Sequence, residues 1–393
     1  MASIIGRVYN IRVAGKALFM DLQSGEQLYF NINETQDFDI AKNGVSRGDI
    51  LEITVFEHFV TKTGHPSIKV KEFSVIKKCE TNIPLVTSKD GEDFNALGTE
   101  LTRRRRALTW VTEPRRLEWI TKRSEMVHGL RDSLRLAGSV EINTPVLQPL
   151  YGGASADPFV TTHNALGKDL FLRISPELYL KRLVIGGVPF VHEFATCFRN
   201  EGIDRTHNPE FTLLEFYKAG ENYEWGMMMT EFLVKEAIGM EQSGRFPIIS
   251  ITEEVWNIVD EGFGDLTPQG IMDVFEESVE PYLVERYGRG VFVTGHPAAL
   301  SPLALAHSHD NRFAERFELY VDGMEVANGY SEQNDWKVQQ AAMQAMGNLD
   351  EDYIEDLKIG LPRTCGVGIG VDRLAMIRCG VNDIRDVIAF PAY

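Results

Sequence analysis

Along the first 78 residues apolar and polar positions alternate in short runs broken by glycine-containing turns: IIGRVYNIRV, ALFMDLQ, QLYFNI, ILEITVFEHFV and SIKVKEFSVI. Alternation with a period of two marks a strand with one buried face, and roughly five such runs predict a small closed β-barrel. An OB-fold and a generic barrel fit that pattern equally. The alternation stops over residues 79–108, where Asn82, Pro84, Ser88, Lys89, Asp90 and Gly91 predict a linker. From about Pro114 to Ala137 the period lengthens. Leu117, Ile120, Met126, Val127, Leu130, Leu134 and Leu136 are spaced for one helix face, and Gly138 stops the helix.

Further on, Phe190, Val191 and Phe194, then Phe211, Leu213 and Leu214, predict two antiparallel strands around the polar loop of FRNEGIDRTHNPEF. EWGMMMTEFLVKEAIGM and residues 267–286 read as helical. FELYVDGMEVA reads as a hairpin turning at Asp322-Gly323. Near the end, Gly366, Gly368 and Gly370 alternate with apolar residues before a helix that starts around Asp372 and Arg373. A strand with glycine on one face lets a ligand or another backbone come close. The spacing is G-x-G-x-G, which does not fit the G-x-G-x-x-G of a dinucleotide fold.

Composition narrows the class. A chain of 393 residues, 44% hydrophobic and 25% charged, can bury a large core in two or three domains. A net charge of −17 argues against indiscriminate nucleic-acid binding, although the run Arg103–Arg106 offers one local basic patch, or simply a solvated segment. Cys79, Cys197, Cys365 and Cys379 have no metal spacing, and no signal peptide or apolar stretch of membrane length is seen, so the expected compartment is reducing cytosol. His307-Ser308-His309 lacks the companions of a metal site.

The loop between the two strands carries the candidate chemistry. Arg199 has the planar fork that suits a phosphate, Glu201 can accept from an exocyclic amine, and Phe211 offers a face for a purine. Taken alone, Arg-x-Glu reads equally as a surface ion pair. Gly152-Gly153 permits close backbone approach to a substrate, or a plain turn. Glu318 and Glu325, on the two arms of one hairpin, suit a magnesium ion bridging phosphates, or a charged hairpin face.

These stretches resemble the class II aminoacyl-tRNA synthetases. FRNEG with HNPEF is similar to their motif 2, GVGIGVDRL to motif 3, and EINTP (residues 141–145) after the helix to motif 1. Within that class, RISPELYLKRLVIGG, HNPEFTLLEFY, ERFELYVDGMEVANGYSEQND and DEDYIEDLKIGLP resemble the lysyl-tRNA synthetase family, over most of the chain. The resemblance implies an α+β fold: an OB-fold anticodon-binding domain over residues 1–78, a linker over 79–108, and a class II catalytic domain over 109–393, an antiparallel sheet flanked by helices.

It also implies roles. Arg199 and Arg373 are the expected catalytic residues. ATP falls to Arg199, Glu201, His207, Phe211, Gly370 and Arg373, and Mg²⁺ to Glu318 and Glu325. Gly153, Glu177, Glu215, Tyr217, Asn328 and Glu332 would surround bound L-lysine, where carboxylates and a phenol can satisfy a desolvated ammonium. In the barrel, Phe19, Gln27 and Glu72 would meet the anticodon of lysine tRNA, the first by stacking and the others by bonding base edges. The motif 1 region would form a homodimer, and no membrane is involved. The expected reaction is attack of lysine's carboxylate on the α-phosphate of ATP, then transfer of the lysyl group to the tRNA 3′ end.

The sequence departs from that family in places. No helical extension precedes the barrel, and the hairpin between Phe19 and Gln27 is shorter. Asp157 stands where most members have a basic residue, and the segments 221–302 and 335–350 are abbreviated. Two other readings are a related ligase acting on a protein lysine or a small amine, and a non-catalytic sensor of lysine or nucleotide. The barrel weighs against the first, and the intact Arg199, Glu201, His207 and Arg373 weigh against the second.

Overall fold

The computed structural model describes residues 3–61, 64–81, 83–84, 87–89, 92–94, 97–154, 156–259 and 266–392, with the backbone alone at 87–89 and 92–94. Lys62 and Thr63 of the KTG turn, and Asn82, Asp90 and Gly91 of the expected linker, lie outside the described residues. The chain divides into two compact units, residues 1–118 and 119–392.

The first unit is the barrel that the alternation predicts. Strands β1 (Ile4–Ala14), β2 (Ala17–Leu22), β3 (Gln27–Asn31), β4 (Ile50–Val60) and β5 (Pro66–Lys77) close in the order β1-β2-β3-β5-β4, with helix α1 (Phe38–Gly44) between β3 and β4. Every neighbouring pair is antiparallel except β3 and β5. Leu18, Met20 and Leu22 of β2 face Leu28 and Phe30 of β3 inside the barrel, with Leu51, Ile53, Ile68 and Val70 completing the core. Each such side chain contributes roughly 1.5–3 kcal/mol when fully buried. The intervening positions, Phe19 among them, are left on the outer face.

Residues 79–108 carry more structure than their polarity suggests. Two short strands, β6 (Thr87–Lys89) and β7 (Glu92–Phe94), pair there, and helices α2 (Gly98–Arg104) and α3 (Arg106–Thr112) follow. The Gln23 side chain donates to the Trp110 carbonyl at 2.9 Å, which ties α3 to the barrel. Thr102, Arg106, Thr109 and Thr112 are buried, and the three threonine hydroxyls bond backbone carbonyls; polar residues satisfied in this way give no apolar period to read. The arginine run straddles the α2/α3 junction.

Helix α4 (Pro114–Leu136) runs across the division, and Gly138 follows it at φ +86°. The second unit is built on an eight-stranded sheet. Its strands are β8 (Val140–Glu141), β12 (Phe190–Phe198), β13 (Glu210–Ala219), β14 (Ile248–Ser250), β15 (Gly290–Thr294), β16 (Arg316–Val321), β17 (Met324–Ser331) and β18 (Thr364–Gly370). They lie in the order β14-β15-β16-β17-β18-β13-β12-β8, parallel only at the two edge pairs. A smaller sheet joins β9 (Leu147–Gln148), β10 (Val160–His163) and β11 (Lys168–Leu172).

One face of the large sheet is covered by Met126, Leu130 and Leu134 of α4, by Leu233 and Val234 of α6 (Tyr223–Ile238), and by Val371, Leu374 and Met376 of α12 (Val371–Cys379). Against the far end of the sheet pack α7 (Ile251–Val259), α8 (Pro268–Ser278) and α9 (Leu283–Tyr287). Helices α5 (Glu177–Ile185), α10 (Trp336–Met346) and α11 (Glu351–Gly360) form another core with Val191 and Tyr217, and α13 (Ile384–Val387) closes the chain. The expected α+β architecture, barrel plus antiparallel sheet flanked by helices, is what the chain forms.

Candidate active site

The centre of the sheet presents its glycine face to a cavity of about 480 Å³. In β18, Cys365, Val367 and Ile369 join the helix-covered core, so alternation leaves Gly366, Gly368 and Gly370 facing the cavity. At Gly366 a Cβ would collide with Glu332 and Tyr217, so this position tolerates only glycine.

Strands β12 and β13 pair from Phe190–Lys218 to Phe198–Glu210, leaving residues 199–209 as the loop between them. Asp204 organises that loop: its Oδ1 accepts from the backbone N–H of Thr206 at 2.6 Å and of His207 at 2.9 Å, and from the Thr206 hydroxyl at 3.0 Å. His207 Nδ1 lies 2.8 Å from the Asp204 carboxylate and its Nε2 3.0 Å from Arg373 Nη2. A guanidinium can only donate, so Nε2 accepts and Nδ1 carries the proton. Arg373 also donates from Nη1 to the Glu325 carbonyl at 2.6 Å and carboxylate at 3.2 Å.

Arg199 lies over the Phe211 ring, Cζ 5.1 Å from its centroid, and its Nε is buried without a hydrogen-bond partner. A cation held over an aromatic face with an unused donor can receive an anion. At this end of the cavity Asp372, largely buried, accepts from the Thr212 backbone at 2.7 Å and from Arg123 Nε at 2.8 Å. Arg123 reaches the Thr212 hydroxyl as well, at 2.8 Å, so α4, β13 and α12 are locked together beneath the arginines. Sequence reasoning missed Asp372 and Arg123, 249 residues apart.

The other end of the cavity is acidic. Glu215 accepts from Ser175 Oγ and from the Tyr217 hydroxyl, both at 2.8 Å. Burial first, and Glu177 second, push its pKa up to about 8, against the pull of those two hydrogen bonds and of Arg199. Glu177 accepts from Tyr330 at 2.8 Å and from Lys181 at 2.6 Å, and Lys181 also pairs with Glu332. Burial works to strip Lys181 of its proton, but Glu177 and Glu332 outweigh it and hold its pKa well above the ordinary value. Gly153, Asn328 and Tyr330 complete this end.

All the residues expected at a nucleotide, Arg199, Glu201, His207, Phe211, Gly370 and Arg373, therefore line one cavity with Gly153, Glu177, Glu215, Tyr217 and Asn328. Glu332 stands beside Gly366 at the same end, buried and paired with Lys181. Lys181 was legible in principle, four residues after Glu177 on a helix, the spacing of a side-chain ion pair. Ser175 and Tyr330 gave no such signal.

Glu318 and Glu325 border an adjoining chamber with His296, Arg316 and Arg373. Asp322 and Gly323, at φ +50° and +78°, make the two-residue turn that the hairpin needs. Burial works to raise the pKa of Glu318, but His296 and Arg316 outweigh it and hold it at about 2. Burial and Glu318 raise that of Glu325, against Arg373. Among the described residues no three His, Cys, Asp or Glu side chains cluster as a metal cage. Two carboxylates open to a shared chamber fit magnesium, which takes one or two protein carboxylates and completes its shell from phosphates and water.

On the barrel, Phe19 and Gln27 sit on adjacent strands of the outer face, and Glu72 is exposed on β5. The Phe19 ring meets Tyr29 at 5.2 Å between centroids, and Tyr29 meets Phe59 at 5.3 Å. Gln27 is already held from both ends of its amide, donating to Asp21 at 3.1 Å and accepting from Ser67 at 2.9 Å.

Comparison with known proteins agrees with this geometry. The family model described as tRNA synthetases class II (D, K and N) matches residues 98–393. The chain is 36% identical over 438 aligned residues to a lysine–tRNA ligase of Wolinella succinogenes, covering 99% of this chain and 85% of that protein. It is 38% identical to lysine–tRNA ligase 2 of Methanosarcina acetivorans (98% and 84% covered) and 34% to a lysine–tRNA ligase of Porphyromonas gingivalis (99% and 76%). Aligned spans longer than the chain itself mean that these relatives carry internal residues this chain lacks, in keeping with its abbreviated segments. The chain belongs to the class II tRNA synthetase family of the D, K and N type.

Proposed function

We propose that this protein activates L-lysine with ATP to lysyl-adenylate and transfers the lysyl group to the 3′ end of lysine tRNA. The observation that carries the reading is one cavity with arginines at one end and buried carboxylates at the other, in a chain whose relatives are lysine–tRNA ligases. The acidic end takes the side-chain ammonium, for which Glu177, Glu215 and Tyr217 provide charge and acceptors. An acidic or neutral amino acid would leave those carboxylates unpaired, at a cost that enforces selection.

At the other end Arg199 and Arg373 face the phosphates. The lysine carboxylate is placed for in-line attack on the α-phosphate, and the arginines neutralise the charge that builds there; no nucleophilic side chain is needed. Glu201 reads the adenine amine, Phe211 stacks the ring, and Gly370 admits the nucleotide to the sheet surface. Glu318 and Glu325 would hold Mg²⁺, which supplies charge neutralisation on the phosphates when bound. Asp372 and Arg123 keep the β13 and α12 backbones in register beneath that machinery.

The barrel meets the anticodon through Phe19, Gln27 and Glu72. A cytoplasmic homodimer is part of the same reading, supported by exposed apolar residues at and after the end of α4, Leu136, Val140, Val146, Leu147 and Leu150. The domains follow as anticodon-binding over 1–78, connection over 79–108 and catalysis over 109–393. The test is lysine-dependent charging of transcribed lysine tRNA beside tRNA-free pyrophosphate exchange. Exchange and charging with lysine alone among the amino acids support the reading; exchange without charging means another acceptor.

A further inference from the structure

The acidic end of the cavity has more carboxylates than cations. Glu177, Glu215 and Glu332 are all buried, with relative exposures of 3%, 4% and 2%. Among the described residues the one ammonium there, Lys181, is fully buried and committed to Glu177 and Glu332. Glu193, the cross-strand neighbour of Glu215, has its own cation in Arg173 at 2.6 Å. Arg199 pulls on Glu215 but makes no hydrogen bond to it. The remaining groups around Glu215 are Tyr217 on its own strand, Tyr330 on β17, Ser175 ahead of α5 and the thiol of Cys197 on β12, none of them cationic. From β18 only glycines face it. Glu215 is thus the buried carboxylate with no ion-pair partner, and a second negative charge beside Glu177 in a dry site is disfavoured.

We propose that the substrate ammonium enters this pocket by proton exchange: Glu215 holds a proton while the pocket is empty and gives it up to solvent as the ammonium arrives. The inference rests on the amino-acid pocket described above. One O–H bond of the carboxyl breaks, the proton passes to buffer, and the positive charge that enters replaces the one that leaves. No oxidation or reduction is involved. The empty pocket avoids an uncompensated buried charge, and the bound pocket holds a full ion pair. Ser175 and Tyr217, which donate to Glu215, favour its ionised form and so set how readily the exchange occurs.

Two consequences are measurable. Between pH 6 and 8 lysine should bind about tenfold more tightly per pH unit, levelling above the Glu215 pKa of about 8. Binding near pH 7 should release about one proton per lysine bound.

The experiment is isothermal titration of L-lysine into the full-length protein at pH 7, in buffers of widely different ionisation enthalpy, repeated at pH 9.5. Buffer-dependent heat that reports proton release at pH 7, and no release at pH 9.5, is the expected result; heat left at pH 9.5 has the opposite sign, because the amino groups of free lysine titrate there and take up protons on binding. Lysine binding with heat independent of buffer at pH 7 overturns the exchange while leaving the pocket assignment intact. No lysine binding at either pH overturns the pocket assignment, and the exchange with it. Ser175→Ala locates the proton: losing a donor to the carboxylate should move the inflection in affinity to higher pH, weakening binding several-fold at pH 7 and little at pH 9.5. Equal weakening at both pH values, as a purely structural role would give, overturns the assignment to Glu215.

Discussion

Lys181 and Glu332 form an ion pair from which water is wholly excluded, both side chains having zero exposure, and Glu177 shares the same ammonium. Removing one partner of a buried pair strands the other charge and typically costs about 3–5 kcal/mol, whereas removing both together can be close to neutral. Lys181→Met should therefore lower the melting temperature of the protein by several degrees. Adding Glu332→Gln should recover part of that loss. Calorimetry on the two single variants and the double variant checks this, and additive losses would show that the pair is not coupled.

The arginines carry a second prediction. Arg199→Ala and Arg373→Ala should each lower lysine-dependent pyrophosphate exchange by on the order of a hundredfold, about 3 kcal/mol of transition-state stabilisation. Arg199 makes no hydrogen bond through its buried Nε, so its removal should leave the melting temperature nearly unchanged. Arg373 also anchors Glu325 and His207, and its variant should lose some stability as well. Near-normal exchange in either variant would remove that arginine from the chemistry.

Much of this was legible in the sequence because it is local. The period-two runs named the barrel strands, Asp322-Gly323 named the turn between β16 and β17, and the glycine alternation of residues 366–370 named a strand open on one face. The cavity lining, which gathers residues from Gly153 to Arg373, was expected from the resemblance to the synthetases. What sequence did not yield depends on pairing across long separations or on polar residues satisfied internally. Arg123 and Asp372 meet only because α4 crosses beneath β13 and α12. The helices within 79–108 were hidden by buried threonines. The ion pair of Glu332 with Lys181, one turn along α5 from Glu177, likewise joins residues far apart in the chain.

Glu215 links function to a stability penalty, with a definite sign. Its pKa in the folded protein, about 8, lies above the ordinary 4.5, so between those values the native state binds the extra proton. The group's contribution to the stability of the empty protein therefore falls as pH rises from about 4.5 to 8. Glu215→Gln removes the titration. It should melt higher than the wild type at pH 9, with the difference shrinking toward pH 5, while raising KM for lysine far more than KM for ATP. A variant less stable than wild type at pH 9, or one that affects both substrates equally, contradicts the assignment.

The barrel makes the last prediction, and it concerns the RNA. Phe19, Tyr29 and Phe59 stand ring against ring on the outer face, a row on which unpaired bases can stack. Gln27, its amide oriented by Asp21 and Ser67, has one N–H and one oxygen lone pair left, a smaller contact than three aromatic faces offer a base. Stacking should therefore carry more of the anticodon affinity than Gln27 does. Phe19→Ala should lower charging of lysine tRNA by roughly 1–3 kcal/mol, the usual value of a base–aromatic stack. Pyrophosphate exchange, which takes place in the other unit, should stay within about twofold, since independent sites act additively. Gln27→Ala should cost less than Phe19→Ala. Combining Phe19→Ala with an anticodon substitution should cost less than the sum of the two, as contacting partners do. Charging rates for the four combinations decide it: a fully additive cycle, or charging indifferent to the anticodon, would mean that the aromatic row serves another partner.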